Sequence, residues 1–357
     1  MKESTIIKRI RENQFVLIAE VGVNYYDIAK KLGISDMEAA KLMVEEAAKA
    51  GIHAVKFQTY KAGTLAAKAS PYYWDITEEP TRSQYELFQK FDRFGYEEYK
   101  EISEYCNEIG IEFFSTPFDF ESADYLDELM DVYKISSSDL SNLPFIEHQA
   151  KKNKPILLST GASELSEIEA AVAAIRKHNE KEIVLMHCVL EYPTPYEDVN
   201  LNKIVSLKEK FPEFYIGYSD HTKPTPECDV IKTAYNLGAV CVEKHYTLDK
   251  TLKGNDHYHG MDPEDAKRIL SGIDKINMLR GNGEIRCLDT ELTARKNARR
   301  SIVSNVDIKA GAVVTENMLT FKRPGTGISP AKIDWVIGKT AVSDIAEDTI
   351  LTEEMFR

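Results

Sequence analysis

Cysteine is scarce and scattered: five in 357 residues, at Cys106, Cys188, Cys228, Cys241 and Cys287. None forms a CxxC pair, which argues against a disulfide framework or a structural zinc site and leads us to expect a reducing, cytoplasmic setting. Long apolar runs are absent too. None approaches the roughly 18 residues a spanning helix needs, so no membrane segment is expected. The opening MKESTIIKRIREN is charged and lacks an apolar stretch, so it does not read as a secretory signal. Positive charge is in short supply, with 45 Lys and Arg against 58 Asp and Glu, a net charge of −13 and a pI near 5.2. Nonspecific binding to nucleic acid or acidic membranes needs a basic surface, so both are excluded as partners. Small anionic substrates are not excluded, because a few lysines in a cleft can hold them. No GxGxxG follows the first β-like run, which weakens a dinucleotide-binding reading.

What is present is an alternation of β-rich runs with helical patterns. The hydrophobic content of 43% is that of an ordinary globular chain. The β-like runs are Phe15–Val21, His53–Gln58, Ile111–Ser115, Val132–Ser136, Pro155–Ser159, Ile183–Cys188, and two more that end in SDHT and EKHY. Helices are predicted over Asp36–Ala50, with Ser35 and Glu38 spaced as a capping box, and over Tyr96–Glu108, ending at Gly110. Others are expected near Ala123–Met130, after Ser166 with Glu169 as its capping partner, and from Asp262-Pro263 to about Leu279. Eight such units in roughly 265 residues match a (β/α)8 TIM barrel better than an open doubly wound sheet. Residues 61–92 form a long insertion rich in aromatic and turn residues, and loops of that length are usually functional or disordered.

The pattern changes near residue 282. Residues 283–300 read as a polar linker. From 301 to 357 the segments are short, and two phrases echo each other: DIKAGAVVTENML and DIAEDTILTEEMF. Each has an apolar start, a turn, a short β-like run and a Thr-capped acidic turn. This is expected to be a small β-rich module.

In a (β/α)8 barrel the chemistry sits at the C-terminal strand ends. Here those ends carry Glu20, Lys56, Gln58, Ser115, Thr116, Lys134, Ser137, Asp139, Ser159, Thr160, His187, Ser219, Asp220, His221, Glu243 and His245. A lone histidine there usually just hydrogen-bonds its loop. Two at equivalent places on consecutive strands, His221 and His245, favour a divalent ion of the Mn²⁺, Fe²⁺, Co²⁺ or Zn²⁺ kind with open positions. His257 and His259 lie in a loop and rank lower, and His187 counts only if its strand phase turns it to the mouth. Lys56 and Lys134 sit among apolar neighbours on strands. A salt bridge to Glu20 or Glu243 would explain them; the functional readings are an anion grip with Ser137, Ser159 and Ser219, or a Schiff-base nucleophile.

The motifs IAEVGVN, VKFQ, FFSTPFD, YKISSSD, ILLSTGA, YPTPYEDVNL, IGYSDHT and EKHYTLD, in that order along nearly the whole chain, resemble the sialic acid synthases. The C-terminal part is similar to their antifreeze-like (SAF) domain, with RPGTG (Arg323–Gly327) as its signature turn. The resemblance implies condensation of phosphoenolpyruvate with an N-acylated hexosamine of the N-acetylmannosamine type, giving a nonulosonic acid and phosphate by C–O cleavage. It implies a divalent metal on His221 and His245, manganese first, with Mg²⁺ or Co²⁺ as alternatives. Lys56, Lys134, Ser137, Ser159 and Ser219 would hold phosphoenolpyruvate with Thr116 nearby. Glu20, Gln58, Tyr192 and Asp256 would surround the sugar, and Glu20 is the candidate for proton handling. Arg323 would reach the active site of a partner subunit in a domain-swapped homodimer.

The chain departs from the family at three places. Cys188-Val189-Leu190-Glu191 replaces a more polar run. Ser136-Ser137-Ser138-Asp139 stands where many relatives have Gly-Ser-Gly-Glu. Asn24-Tyr25 stands where many have asparagine-histidine. These changes and the 61–92 loop leave the sugar open among N-acetylmannosamine, its 6-phosphate and a 2,4-diacetamido-trideoxy sugar leading to legionaminate or pseudaminate; an unphosphorylated sugar is favoured. Two rivals stand beside this reading: a Schiff-base pyruvate aldolase, and a noncatalytic sugar-binding protein.

Overall fold

The structure, a computed structural model, describes residues 3–254 and 256–357. It divides into two compact units, 1–279 and 280–357.

The first unit carries eight strands: β1 Val16–Gly22, β2 Ala54–Thr59, β3 Glu112–Pro117, β4 Tyr133–Ile135, β5 Ile156–Ser159, β6 Ile183–Cys188, β7 Tyr215–Asp220 and β8 Cys241–His245. All paired neighbours are parallel, in the order β3-β2-β1-β8-β7-β6-β5-β4, and β3 and β4 at the two ends of that order lie side by side. This is the expected (β/α)8 barrel, with helices between strands. The strands are buried on both faces, as parallel strands covered by helices must be.

Local chemistry sets the helix ends. Ser35 Oγ accepts from Glu38 N while Glu38 returns a bond to Ser35 N, so the helix Asp36–Lys49 starts where the capping box places it. Gly110, at φ 84°, stops the helix Tyr96–Ile109. Asp262 Oδ1 accepts from Asp265 N ahead of Pro263–Arg280. Two expectations need correction, and one helix was not anticipated. Ser166 and Glu169 are not the cap: the helix Leu165–Arg176 begins earlier, with Glu167 accepting from Glu164 N. The segment near 123–130 is a short helix, Phe120–Tyr125, running into a 3-10 turn. The charged N-terminus forms a helix, Thr5–Arg11, that buries Ile6, Ile7 and Ile10 at the closed end of the barrel.

The 61–92 insertion is folded. It contains helices Ala62–Leu65 and Gln84–Lys90. Trp74, which lies between them in sequence, is buried, its Nε1 donating to Glu79 O at 3.0 Å and Thr81 O at 3.1 Å.

In the second unit, β9 Ser301–Ser304 pairs antiparallel with β10 Leu319–Lys322. Its own core includes Ile302, Val314, Ile328, Val336 and Leu351. The two echoing phrases pair with each other: Ile308 and Ile345 exchange both backbone hydrogen bonds at 2.8 Å. Each phrase ends in a 3-10 turn after an extended threonine, Thr315 or Thr352, but neither hydroxyl caps its turn. The polar stretch 283–300 is not a featureless linker: it holds a helix, Leu292–Ala298, and falls within the second unit.

Candidate active site

Alternation along the strands sorts the polar residues into two sets. Odd and even positions of β7 and β8 point to opposite sides. Ser219, Glu243 and His245 line a cleft of about 390 Å³ at the C-terminal end of the barrel. Asp220 and Lys244 face the other way and form their own pair at 2.7 Å, each about 1% exposed, with Tyr218 Oη and Thr222 N also donating to Asp220. Lys244 Nζ also donates to Thr222 O, so this buried pair is satisfied within its own surroundings, away from the cleft. His187 is likewise turned outward: its Nε2 bonds Val199 O and its ring stacks on Tyr218. His257 is tied to Thr247 Oγ1 at 2.7 Å. Tyr25 is sealed in an aromatic cluster with Phe94 and Tyr26.

The cleft brings together Glu20, Lys56, Gln58, Thr116, Lys134, Ser137, Asp139, Ser159, Tyr192, Ser219, His221, His245 and Asp256, every expected site residue of the first unit. At its floor lie two lysines and two glutamates. Lys56 Nζ is 2.6 Å from Glu20 Oε2 and 3.7 Å from Glu243 Oε1, and it donates to Thr116 Oγ1 at 3.0 Å. Lys134 Nζ is also 3.7 Å from Glu243 Oε1. The salt bridges are therefore present, and they lie inside the cleft, where they place both lysine Nζ atoms at its floor. Burial pushes Glu243 up, yet Lys134 and Lys56 outweigh it and hold it below the usual carboxylate range. Burial raises Glu20, with Glu243 adding to the effect and Lys56 opposing it. Burial lowers Lys134, only partly offset by Glu243, while in Lys56 its two carboxylate neighbours outweigh burial and raise it. The Ser159 hydroxyl is buried among the described residues with no hydrogen-bond partner, an open donor at the cleft floor.

Two glycines set this geometry. A Cβ on Gly161 would lie 3.0 Å from Cys188 Sγ and 3.1 Å from Ser137 Oγ. Gly22, at φ 55°, leaves space for Gln58 Nε2, which donates to Glu20 Oε1 at 2.8 Å. The sequence offered the STGA and EVG motifs that contain them, but not the contacts that demand glycine.

On the other side of the cleft are the histidines. His221 Nδ1 is held by Val189 O at 2.7 Å, which leaves Nε2 for a ligand. Its ring is 5.4 Å from that of His245, and Tyr192 packs against both. Burial lowers His221 to about 4 and, with its histidine neighbours, takes His245 well down, so both imidazoles are neutral and able to ligate. His245 Nδ1 is buried with no hydrogen-bond partner. Neutral imidazoles with an orphaned nitrogen fit a divalent transition ion. His259, ranked low in the sequence because it sits in a loop, is also here, its ring 4.9 Å from that of His245. A third wall, made of Leu65, Tyr73, Trp74 and Phe88 from the insertion with Phe118 and Leu190, is apolar. Arg323 lies in the second unit, exposed on the turn after β10.

A (β/α)8 barrel with ammoniums, hydroxyls, carboxylates and neutral imidazoles converging on its C-terminal mouth is an enzyme's architecture. The chain belongs to the NeuB family, whose pattern matches residues 43–285, and carries a SAF domain at residues 299–357. Its relatives include the N,N'-diacetyllegionaminic acid synthases of Campylobacter jejuni, 38% identical over 95% of this chain and 99% of that one, and of Legionella pneumophila, 36% identical over 95% and 93%. The crystal structure of the N-acetylneuraminic acid synthetase of Leptospira borgpetersenii, in complex with citrate, aligns with a TM-score of 0.67 and 32% identity over 79% of this chain and 90% of that one. The resemblance read from the motifs is thus borne out. The chain is an enzyme of the nonulosonic acid synthase family, which sets aside the noncatalytic reading. No helix among the described residues is long and apolar enough to cross a membrane.

Proposed function

We propose that this enzyme condenses phosphoenolpyruvate with an N-acylated hexosamine to give a nonulosonic acid and phosphate. The observation that carries this is the pairing of a charged, hydroxyl-lined floor, Lys56 and Lys134 with Ser137, Ser159 and Ser219, with an apolar wall above it. The floor suits the phosphate and carboxylate of phosphoenolpyruvate. The wall suits acyl and deoxy groups.

The floor fixes phosphoenolpyruvate with its C3 toward the aldehyde carbon of the open-chain sugar. A carbon–carbon bond forms between them, the aldehyde oxygen takes up a proton, and C2 becomes oxocarbenium-like. Water adds at C2 and gives up a proton, and the C2–O bond to phosphate then breaks as the new C2 hydroxyl becomes the ketone carbonyl and passes its proton to the departing phosphate. Glu20 handles the water's proton, with Lys56 beside it to stabilise the carboxylate. Lys134 and the serine hydroxyls compensate the charge gathering on the departing phosphate. His221 and His245 would hold a divalent ion, manganese first, that supplies Lewis-acid polarisation of a carbonyl oxygen when bound. Gln58, Tyr192 and Asp256 border the sugar's space, and Asp139 lies at the cleft edge.

For the sugar, the wall favours a 2,4-diacetamido-trideoxyhexose over N-acetylmannosamine. Leu190, Leu65 and Phe88 have no polar atom to bond a sugar hydroxyl, whereas a methyl or acetyl group can pack on them. The names of the relatives at 38% and 36% identity lean the same way. Arg323 contributes from a second copy of the chain in a homodimer.

The test is a substrate panel. Purified protein with Mn²⁺ should release phosphate from phosphoenolpyruvate only with an acylated hexosamine, fastest with the diacetamido-trideoxy sugar. No product with any panel member, under any common divalent ion, overturns the function. N-Acetylmannosamine as the best substrate overturns the sugar choice alone. Borohydride trapping of a pyruvate adduct on Lys134 would install the aldolase instead.

A further inference from the structure

The loop that follows β8 folds back onto it. Met261 N donates to His245 O at 2.7 Å, Thr247 N donates to Met261 O at 3.0 Å, and Tyr246 and Met261 form a parallel bridge. Only glycine permits this return at position 260. A Cβ there would lie 2.9 Å from Asp256 O and 3.3 Å from His245 O, both backbone atoms that cannot swing aside. The return carries the neighbouring His259 into the cleft's histidine cluster, with its ring also 5.7 Å from that of Tyr192.

His259 is fully buried, yet neither of its ring nitrogens has a hydrogen-bond partner among the described residues. The same is true of His245 Nδ1. Buried imidazole nitrogens are almost always paired, so an orphaned set asks for an occupant. What faces them is the Asp256 carboxylate, 3.8 Å from His259 Nε2 and 3.6 Å from His245 Nδ1. Those distances are too long for hydrogen bonds. They are close to the ~3.0–3.4 Å that separates ligand atoms each about 2.1 Å from one ion. One donor atom from each of His245, Asp256 and His259 can be chosen so that all lie within 4.8 Å of one another. His221 adjoins the set with its Nε2 available.

We propose that His259 is a further protein ligand of the divalent ion, completing a site of three imidazoles, from His221, His245 and His259, and the Asp256 carboxylate. This rests on the reading that the cleft binds a divalent ion, and it adds His259 and Asp256, which neither the SDHT nor the EKHY motif contains. Nitrogen-rich ligation selects Mn²⁺, Co²⁺ or Zn²⁺ and rejects Mg²⁺, which prefers oxygen and water.

The experiment uses the full chain stripped of metal and titrated with Mn²⁺. Free ion is followed by its electron paramagnetic resonance signal, and bound imidazoles are counted by electron spin-echo modulation. The expected count is three in the wild type, with excess Mg²⁺ failing to displace Mn²⁺. In His259→Gln, expected to fold as judged by circular dichroism, the count drops by one and Mn²⁺ binding weakens by about tenfold or more. A wild-type count of two overturns the proposal without any variant, as does His259→Gln with unchanged count and affinity. Failure of the wild type to bind Mn²⁺, Co²⁺ or Zn²⁺ at all overturns the divalent-ion reading along with it.

Discussion

The Lys56 ammonium and the Glu20 carboxylate meet at 2.6 Å with each side chain almost wholly withdrawn from water, 4% and 3% exposed. A buried pair is held by the mutual compensation of its charges, and removing one partner strands the other. Glu20→Ala leaves Lys56 with the Thr116 hydroxyl at 3.0 Å and, among the described residues, Glu243 at 3.7 Å as its one remaining carboxylate. We predict a loss of about 3 kcal/mol in urea unfolding and a fall in turnover of about a hundredfold or more. Stability and turnover both within twofold of wild type would show that the pair serves neither purpose.

The second buried pair makes a control. Lys244 and Asp220 are as close as a hydrogen bond allows but face away from the cleft. Lys244→Met should destabilise the barrel by about 3 kcal/mol as well, while the KM for phosphoenolpyruvate stays at its wild-type value in the protein that remains folded. A raised KM with unchanged stability would place Lys244 in the site instead.

At the closed end of the barrel, Glu112 accepts from Ile6 N at 2.7 Å, and burial pushes its carboxyl up to about 7 from an ordinary value of 4.5. Above pH 4.5 the unfolded chain has released this proton and the native state still holds it, so stability falls as pH rises toward 7 and levels off above it. At about 1.4 kcal/mol per pH unit the loss is about 3 kcal/mol. Glu112→Gln keeps an acceptor for Ile6 without the titration. Its unfolding free energy should exceed that of wild type at pH 8 and approach it at pH 4, and parallel pH profiles would contradict this.

The apolar wall can be tested by making it polar. Leu190→Ser should raise the KM for a diacetamido-trideoxy sugar about tenfold and narrow its advantage over N-acetylmannosamine, since a lost apolar contact is worth ~1–3 kcal/mol. The KM for phosphoenolpyruvate should not move. An unaltered sugar preference would remove Leu190 from the pocket.

Gly161→Ala asks whether the close approach at the floor is needed. The added methyl must displace Cys188 Sγ or Ser137 Oγ, at 3.0 and 3.1 Å. We predict a several-fold rise in the KM for phosphoenolpyruvate, and in Gly161→Ala/Cys188→Ala, which frees the space, recovery toward wild type. A phosphoenolpyruvate KM that does not change in Gly161→Ala would show that Ser137 is positioned by something else.

The barrel was legible because each signal is local: strand runs of the right length, Ser35 with Glu38, and Gly110 as a stop. The strand-end residues of the cleft were legible because strand ends are fixed by topology once the fold is known, whereas Tyr192 and Asp256, in the loops after β6 and β8, came only from the family resemblance. His259 was harder, because its place depends on Gly260 letting one backbone lie on another, a contact across 14 residues of loop from β8 that no spacing announces. The helix Thr5–Arg11 was hidden by its charged residues, which mask three buried isoleucines. The outward turn of His187 follows from a single step of strand phase, which apolar neighbours on both sides could not disclose.

The placement of charge below and aromatic surface above has a kinetic consequence. Lys56 and Lys134 lie at the bottom of the cleft, while Tyr73, 61% exposed, and the buried Trp74 beside it belong to the insertion at its mouth. On the proposed placement of the substrates, a sugar resting on that wall would block the way down. Phosphoenolpyruvate would then bind first and phosphate leave last, so the expected kinetics are ordered, with phosphate competing with phosphoenolpyruvate alone.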